Sequence, residues 1–194
     1  MGQRAFAAAD ELLVEALALD RAQAQESGSL VQVVLLLNLG EVAYGLGQPA
    51  RGDALFAEAL TNAQQEGTRQ NIALVLIEQG FYTSDPQPVQ AGLRLAWEIG
   101  ALSTVLFGLI GGARLLLRAG QVERAAVVLG AVAAHPAHSG YNRIHMSIVL
   151  EELRAQGPVA AVEAALRRGQ GQELAPLVAL ILSVPASGPK SGPQ

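Results

Sequence analysis

The chain has no cysteine among its 194 residues. Disulfides and thiolate metal sites are thereby excluded, and the absence fits a reducing compartment. Aromatics are nearly as scarce, 4% of a chain in which hydrophobic residues make up 51%, so Ala, Leu and Val must supply the core. Short or straight side chains of this kind favour helices packed at close range, and strand-like alternation is hard to find. Basic residues are in the minority, with 13 Lys and Arg against 17 Asp and Glu for a net charge of -4. A nucleic-acid surface carries a basic stripe, so direct contact with DNA or RNA is not expected. Long hydrophobic runs are missing too, although the mean hydropathy is +0.30. The uncharged stretches Ser27 to Gly40 and Ile99 to Ala113 both fall short of the ~18 residues a membrane span needs. Gly108 and Gly112 form a GxxxG pair in the second stretch, but Glu98 and Arg114 bracket it, and it reads as a helix buried on most faces. The segment M-G-Q-R-A-F-A-A-A-D-E-L-L lacks the apolar run of a signal peptide. A cytoplasmic chain with no membrane partner is the expectation.

What is present is a series of helices punctuated by glycine and proline. The stretch V-V-L-L-L-N-L-G-E-V-A-Y-G-L-G turns at Gly47-Gln48-Pro49 and runs back as A-R-G-D-A-L-F-A-E-A-L. Small residues (Gly40, Ala43, Gly52, Ala59) stand where two helices must approach, and Leu39 and Phe56 fill the space between them. This resembles the helix-turn-helix unit of a tetratricopeptide-type repeat. A first helix over about Gln3 to Gln25, broken at residues 26–29, precedes the pair Leu30 to Leu46 and Pro49 to Gln65. Thr68 is the expected N-cap of Arg69 to Tyr82. The turn T-S-D-P-Q-P leads to Gln87–Ile99. A third pair covers Ala101 to Ala119 and Val122 to Ala133. Gly47 and Gly120 occupy matching turns 73 residues apart, two periods of about 36, with the middle pair fitting the register loosely. Helices over Tyr141 to Ala155 and Pro158 to Arg168 follow. Leu174 to Leu182 is expected to cap the stack. Residues 1–182 thus form one all-α domain, an α-α superhelix of three to four antiparallel helix pairs, and the Pro-, Gly- and Ser-rich residues 183–194 form a disordered tail.

Beyond the generic repeat, L-N-L-G-E-V-A-Y-G-L-G-Q, F-A-E-A-L with E-G-T-R-Q-N-I-A-L-V-L, and R-A-G-Q-V-E-R-A-A-V-V-L-G-A-V resemble the tetratricopeptide arrays of large bacterial regulators. These are the LuxR-type and SARP-type transcription regulators and related signalling ATPases. The resemblance covers about residues 5–182 and implies a sensor or partner arm, since neither a nucleotide-binding module nor a DNA-binding helix-turn-helix is present in these 194 residues. A solenoid that starts on half a repeat has an apolar end, which suggests a piece of something longer or a helix that serves as its own cap.

Candidate chemistry is sparse. Gly45, Gly47 and Gly52 lack the lysine and the preceding strand of a phosphate loop. His135, His138 and His145 are the only histidines and lie within eleven residues, but Pro136 interrupts them and no carboxylate is near in sequence before Glu151. Exposed loop histidines, with no metal and no cofactor, are the expectation. Asp85, between Ser84 and Pro86, reads as turn chemistry. Glu11 and Glu15 lie one helical turn apart without forming a paired-carboxylate site, no G-x-S-x-G motif occurs, and no catalytic residue is expected.

In tetratricopeptide arrays the first helix of each pair lines a concave groove that takes peptides or helices. By register the resemblance places Leu37, Glu41 and Tyr44, then Glu78, Phe81 and Tyr82, then Ile110, Arg114 and Arg118 on that face. Tyr44 and Phe81 either meet a partner there or fill space between neighbouring pairs. Leu37 and Glu41 stand where chaperone-binding repeats carry Lys and Asn, so a carboxylate clamp of that kind is absent. The expected function is non-enzymatic: recognition of a protein segment, peptide or small effector in the groove. Self-association into a homo-oligomer through the apolar ends, giving a structural scaffold, is the competing reading. A metal-dependent hydrolase built on the histidines is the weakest.

Overall fold

The computed structural model describes residues 3–23 and 30–185. The expected break at residues 26–29 and all of the expected tail beyond Pro185 lie outside them. Ten helices and no strand occur among the described residues: α1 (Gln3–Gln23), α2 (Leu30–Gly45), α3 (Pro49–Glu66), α4 (Arg69–Thr83), α5 (Pro86–Glu98), α6 (Leu102–Arg118), α7 (Val122–Ala134), α8 (Gly140–Gln156), α9 (Val159–Gly169) and α10 (Leu174–Leu182). The fold is all-α, as the composition requires, and α2/α3, α4/α5 and α6/α7 pack as antiparallel pairs. Helices α2, α4, α6 and α8 touch in series and form an inner layer, while α9 packs on α7 in the outer one. This helix-pair packing is consistent with a superhelix.

Local chemistry sets the boundaries. Pro49 starts α3 at a position where its missing N–H costs nothing. Gly67 ends α3 in the left-handed conformation, donating to the carbonyls of Ala63 and Gln64. Asp85, expected as turn chemistry, is the N-cap of α5 and accepts from the Gln87 amide. Thr68 does hold the N-cap position of α4, but its side chain makes no capping bond. In the first and third pairs Gly47 and Gly120 take positive φ at the turn; in the second pair Ser84 does so, at φ 63°. These three positions are 37 and 36 residues apart. The missing glycine is why the middle pair fits the repeat register loosely on sequence alone.

Packing follows the small-residue pattern. A Cβ on Gly40 would lie 2.4 Å from the Phe56 ring, and one on Gly52 would lie 2.5 Å from the Tyr44 ring. Leu39, Phe56 and Ala59 belong to a buried cluster shared by α1 to α4, and a larger one runs from α4 to α10. Gly108 packs on Leu93 of α5 and Gly112 on Ile181 of α10, so this GxxxG serves contacts within the chain. Helix α10 corrects one expectation: it does not close the end of the stack but lies against α5 and α6. Leu177, Val178 and Ile181 are buried there, and the Gln90 amide donates to the carbonyls of Ile181 and Val184. Among the described residues no helix is long and apolar enough to cross a membrane.

Candidate functional site: the inner face of the helix layer

Each inner helix carries polar and aromatic side chains on one stripe of an otherwise apolar surface. The stripe holds Glu41 and Tyr44 on α2, and Glu78, Phe81 and Tyr82 on α4. It continues through Phe107, Arg114 and Arg118 on α6 to Tyr141 and His145 on α8. Spacings of three, four and seven residues bring these onto one face of each helix, and the serial packing of the helices brings the faces together. Six of the seven Phe and Tyr residues, with His145, form one chain of ring contacts. The seventh, Phe6 of α1, lies over Gly45. A chain poor in aromatics thus concentrates them at one place, around a hollow of about 380 Å3 lined by Phe6, Glu41, Tyr44, Gly45, Tyr82, Arg114, Arg118 and Ile148. Another hollow, about 450 Å3, lies between α7 and the α8–α9 turn. It has mostly alkyl walls, and its Arg168 and Glu123 pair with each other, so it holds no comparable set of converging polar groups.

A buried polar cluster lies beneath the inner hollow. Glu78 and His145 are each 1% exposed. His145 Nε2 stands 3.1 Å from Glu78 Oε1, and the Tyr141 hydroxyl donates to Glu78 Oε2. His145 Nδ1 stands 3.2 Å from the Tyr141 carbonyl oxygen. A carbonyl only accepts, so Nδ1 carries the hydrogen. Half-buried Glu41 shares a hydrogen bond with the Tyr82 hydroxyl. One ligand atom from each of Glu41, Glu78 and His145 lies within 4.8 Å of the other two.

Burial, with the nearby Glu78 charge, holds the Glu41 carboxyl above the usual carboxylate range, partly offset by His145 and Tyr82. Burial alone pulls His145 down. The hydrogen bond and charge of Glu78, with the Tyr141 carbonyl and Glu41, outweigh it and set the imidazole above its ordinary value.

On the opposite wall Arg114 is fully engaged. Its Nε and Nη2 grip Glu152 at 2.6 to 3.1 Å, Nη1 donates to the Phe81 carbonyl at 2.7 Å, and the guanidinium lies 4.5 Å from the Phe81 ring centroid. Arg118, one turn further on, has no hydrogen bond or ion pair among the described residues and reaches the same hollow. Partial burial and the Arg114 charge lower it, partly offset by Glu152.

Of the side chains expected on this face, Glu41, Tyr44, Tyr82, Arg114 and Arg118 do line the hollow. Leu37, Phe81 and Ile110 are core residues at 4% exposure or less, and Glu78 is beneath the floor. They meet a ligand only through their neighbours. For His145 the expectation of an exposed loop is corrected. It is a buried helical residue, and two carboxylates absent from its sequence neighbourhood reach it from α2 and α4. His135 and His138 do lie at the α7–α8 connection, half-buried. Phe6, Phe107, Tyr141 and Ile148 are the members that sequence reasoning passed over. The i, i+4 pairing of Tyr141 with His145, repeated by Glu78 with Tyr82, was the available signal.

No protein-family model matches the chain, and neither a curated protein nor a solved structure matches it.

Proposed function

We propose that this chain is a non-enzymatic recognition module, acting in the cytoplasm as the sensor or partner arm of a regulator of the bacterial tetratricopeptide type. The inner hollow takes a protein segment that presents an apolar side chain next to an acidic one. The observation that carries this reading is the convergence of five groove positions, anticipated from register, on one hollow. Tyr44, Tyr82 and Phe6 offer large, stiff apolar surfaces of the sort that dominate binding energetics. Arg118 offers an unengaged guanidinium for the acid, whereas Arg114 is already committed to Glu152. A hollow of a few hundred Å3 suits one or two side chains, which is what a peptide anchor delivers.

Selection from a displayed peptide library tests it. Wild-type protein should enrich an apolar–acidic motif. Arg118→Glu and Tyr44→Ala should each weaken the selected peptide at least tenfold, with an unchanged helical circular-dichroism spectrum. Failure to enrich any motif, or an affinity indifferent to both substitutions, would sink the reading. Tight binding of a small carboxylate with no peptide preference would move it to a small effector.

A second reading is supported by a different surface. Leu12 and Leu19, seven residues apart and so on one face of α1, are 68% and 54% exposed. Such a face can pair with a second copy of the chain and give a self-associating scaffold.

A further inference from the structure

We propose that Glu41, Glu78 and His145 form a divalent transition-metal site of the zinc class beneath the inner hollow. The inference is independent of the groove reading, since metal uptake is measured with no groove ligand present.

Three features of the geometry lead there. The first is the orientation of the imidazole. With its Nδ1 hydrogen directed at the Tyr141 carbonyl, His145 turns Nε2 to Glu78 Oε1 across 3.1 Å, a gap that either a proton or a metal ion can fill. Two lone pairs do not face each other at that distance in a dry interior unless a positive centre lies between or beside them. Glu78 cannot turn away, because Tyr141 holds its other oxygen. A metal-bound histidine ordinarily has this arrangement, one nitrogen free for the ion and the other donating to a carbonyl that fixes the ring.

The second feature is spacing. Zinc ligands at about 2.0–2.2 Å in a tetrahedral shell stand roughly 3.3 Å apart. The Nε2–Oε1 pair already has that separation, and the Glu41 oxygen lies within 4.8 Å of both. A rotation of the Glu41 side chain, which is only half-buried, closes the remaining gap. The three ligands come from α2, α4 and α8, so rigid elements rather than loops hold them.

The third is charge. Once the ion displaces the proton from His145, two carboxylates and one imidazole balance a divalent charge. One imidazole with two carboxylates is a donor set for zinc, cobalt or manganese; the nitrogen makes it a poor home for magnesium or calcium. The hydroxyls of Tyr82 and Tyr141 hydrogen-bond the two carboxylates from outside the ligand set. A fourth coordination position faces the hollow beside Glu41, so a water there would be open to exchange.

The competing occupant is a proton shared between Glu78 and His145, and the two are separable. Protein stripped with chelator and dialysed should take up one equivalent of Zn2+, followed by calorimetry and elemental analysis. Co2+ in its place should give the visible absorption of a four- or five-coordinate ion. At a hundredfold excess over Kd, Zn2+ should raise Tm by roughly 5 °C or more. Glu41→Gln leaves the buried floor intact and should weaken uptake at least tenfold; His145→Gln should abolish it. His135→Ala combined with His138→Ala should leave uptake unchanged. The proposal fails if stripped wild-type protein takes up no stoichiometric metal, which would assign the position to the proton. It fails equally if uptake survives Glu41→Gln and His145→Gln, or is lost with His135 and His138.

Discussion

Helices α7 and α9 meet backbone against backbone, and two alanine substitutions measure how closely. A Cβ on Gly130 of α7 would lie 2.0 Å from the Leu166 carbonyl oxygen and 2.8 Å from its carbon; a Cβ on Gly169 of α9 would lie 2.0 Å from the Val127 carbonyl oxygen. Carbon and oxygen need about 3.2 Å, so α9 must withdraw by roughly 1.2 Å along the crossing. No rotamer change relieves this, because backbone stands on both sides. Overpacking costs about 1–3 kcal/mol where side chains can give, and the upper end applies here. Replacing a helical glycine by alanine returns about 1 kcal/mol, leaving Gly130→Ala destabilised by about 2 kcal/mol. For a chain of this size that is a fall in Tm of about 4–8 °C. Gly111→Ala is the internal control. Its nearest neighbour would be Val89 Cγ1 at 3.4 Å, an ordinary contact, so the helix gain dominates and Tm should rise by about 2–4 °C. Thermal and urea melts followed by circular dichroism measure both. Because one withdrawal of α9 relieves both clashes, Gly130→Ala with Gly169→Ala should cost less than the two singles added together. Shifts of the same sign for Gly130→Ala and Gly111→Ala would refute the close crossing.

Ser84 is the one described non-glycine residue with positive φ, and its buried hydroxyl has no partner. Ser84→Gly should therefore stabilise by about 1 kcal/mol and raise Tm by about 2–4 °C; an unchanged or lower Tm would contradict the left-handed turn. All three tyrosines resist ionisation. Burial and Asp53 push Tyr44 up to about 12, and burial with neighbouring carboxylates raises Tyr82 and Tyr141 further. The unfolded chain releases these protons near pH 10 while the native one keeps them, so stability falls as pH rises above about 10. Tyr44 can ionise in the native protein near pH 12, but tyrosinate from Tyr82 and Tyr141 should appear only as helical ellipticity is lost, and a native-state titration of all three near pH 10 would overturn the burial of this cluster. If the exposed face of α1 pairs, light scattering should show mass growing with concentration, and Leu12→Glu with Leu19→Glu should hold the protein monomeric. A wild-type mass constant over the series would remove the scaffold reading.

The helices were legible in the sequence because their ends are written in short-range chemistry. Pro49, Gly67, Pro86 and Gly120 act on their own backbone and need no tertiary partner, and each stands at a helix boundary. Gly40 opposite Phe56 was legible for a related reason: a turn of fixed length sets which residues of an antiparallel pair face each other. Ser84 hid the middle turn because a glycine signal was absent where left-handed backbone was nonetheless imposed. The fate of α10 was illegible. Nothing in L-A-P-L-V-A-L-I-L distinguishes an end cap from a helix that folds back on α5 and α6. The choice is made by Gly112, which leaves room for Ile181, and by Gln90, which catches the last carbonyls of α10, about 90 residues away in the chain.

The polar floor shows the same division more sharply. Scanning along the chain around His145 finds no carboxylate before Glu151, yet Glu78 and Glu41 approach it across 67 and 104 residues. Metal-ligand spacing rules work on ligands that share a loop or a helix, whereas this set is distributed over three helices and exists only once they stack. What the sequence does hold is the cost of the arrangement. Glutamate and histidine on the inward stripe of largely apolar helices are expensive to bury singly, so their recurrence on α2, α4 and α8 points to mutual compensation. Glu41, Glu78 and Arg114 stand six residues before Gly47, Ser84 and Gly120, but the same offset from Gly157 at the end of α8 falls on Glu151, so the register does not point to His145. The stacking that buries the apolar stripe also forces these three side chains together, and any substitution that shifts α8 relative to α4 should disturb the Glu78–His145 contact before it disturbs the core.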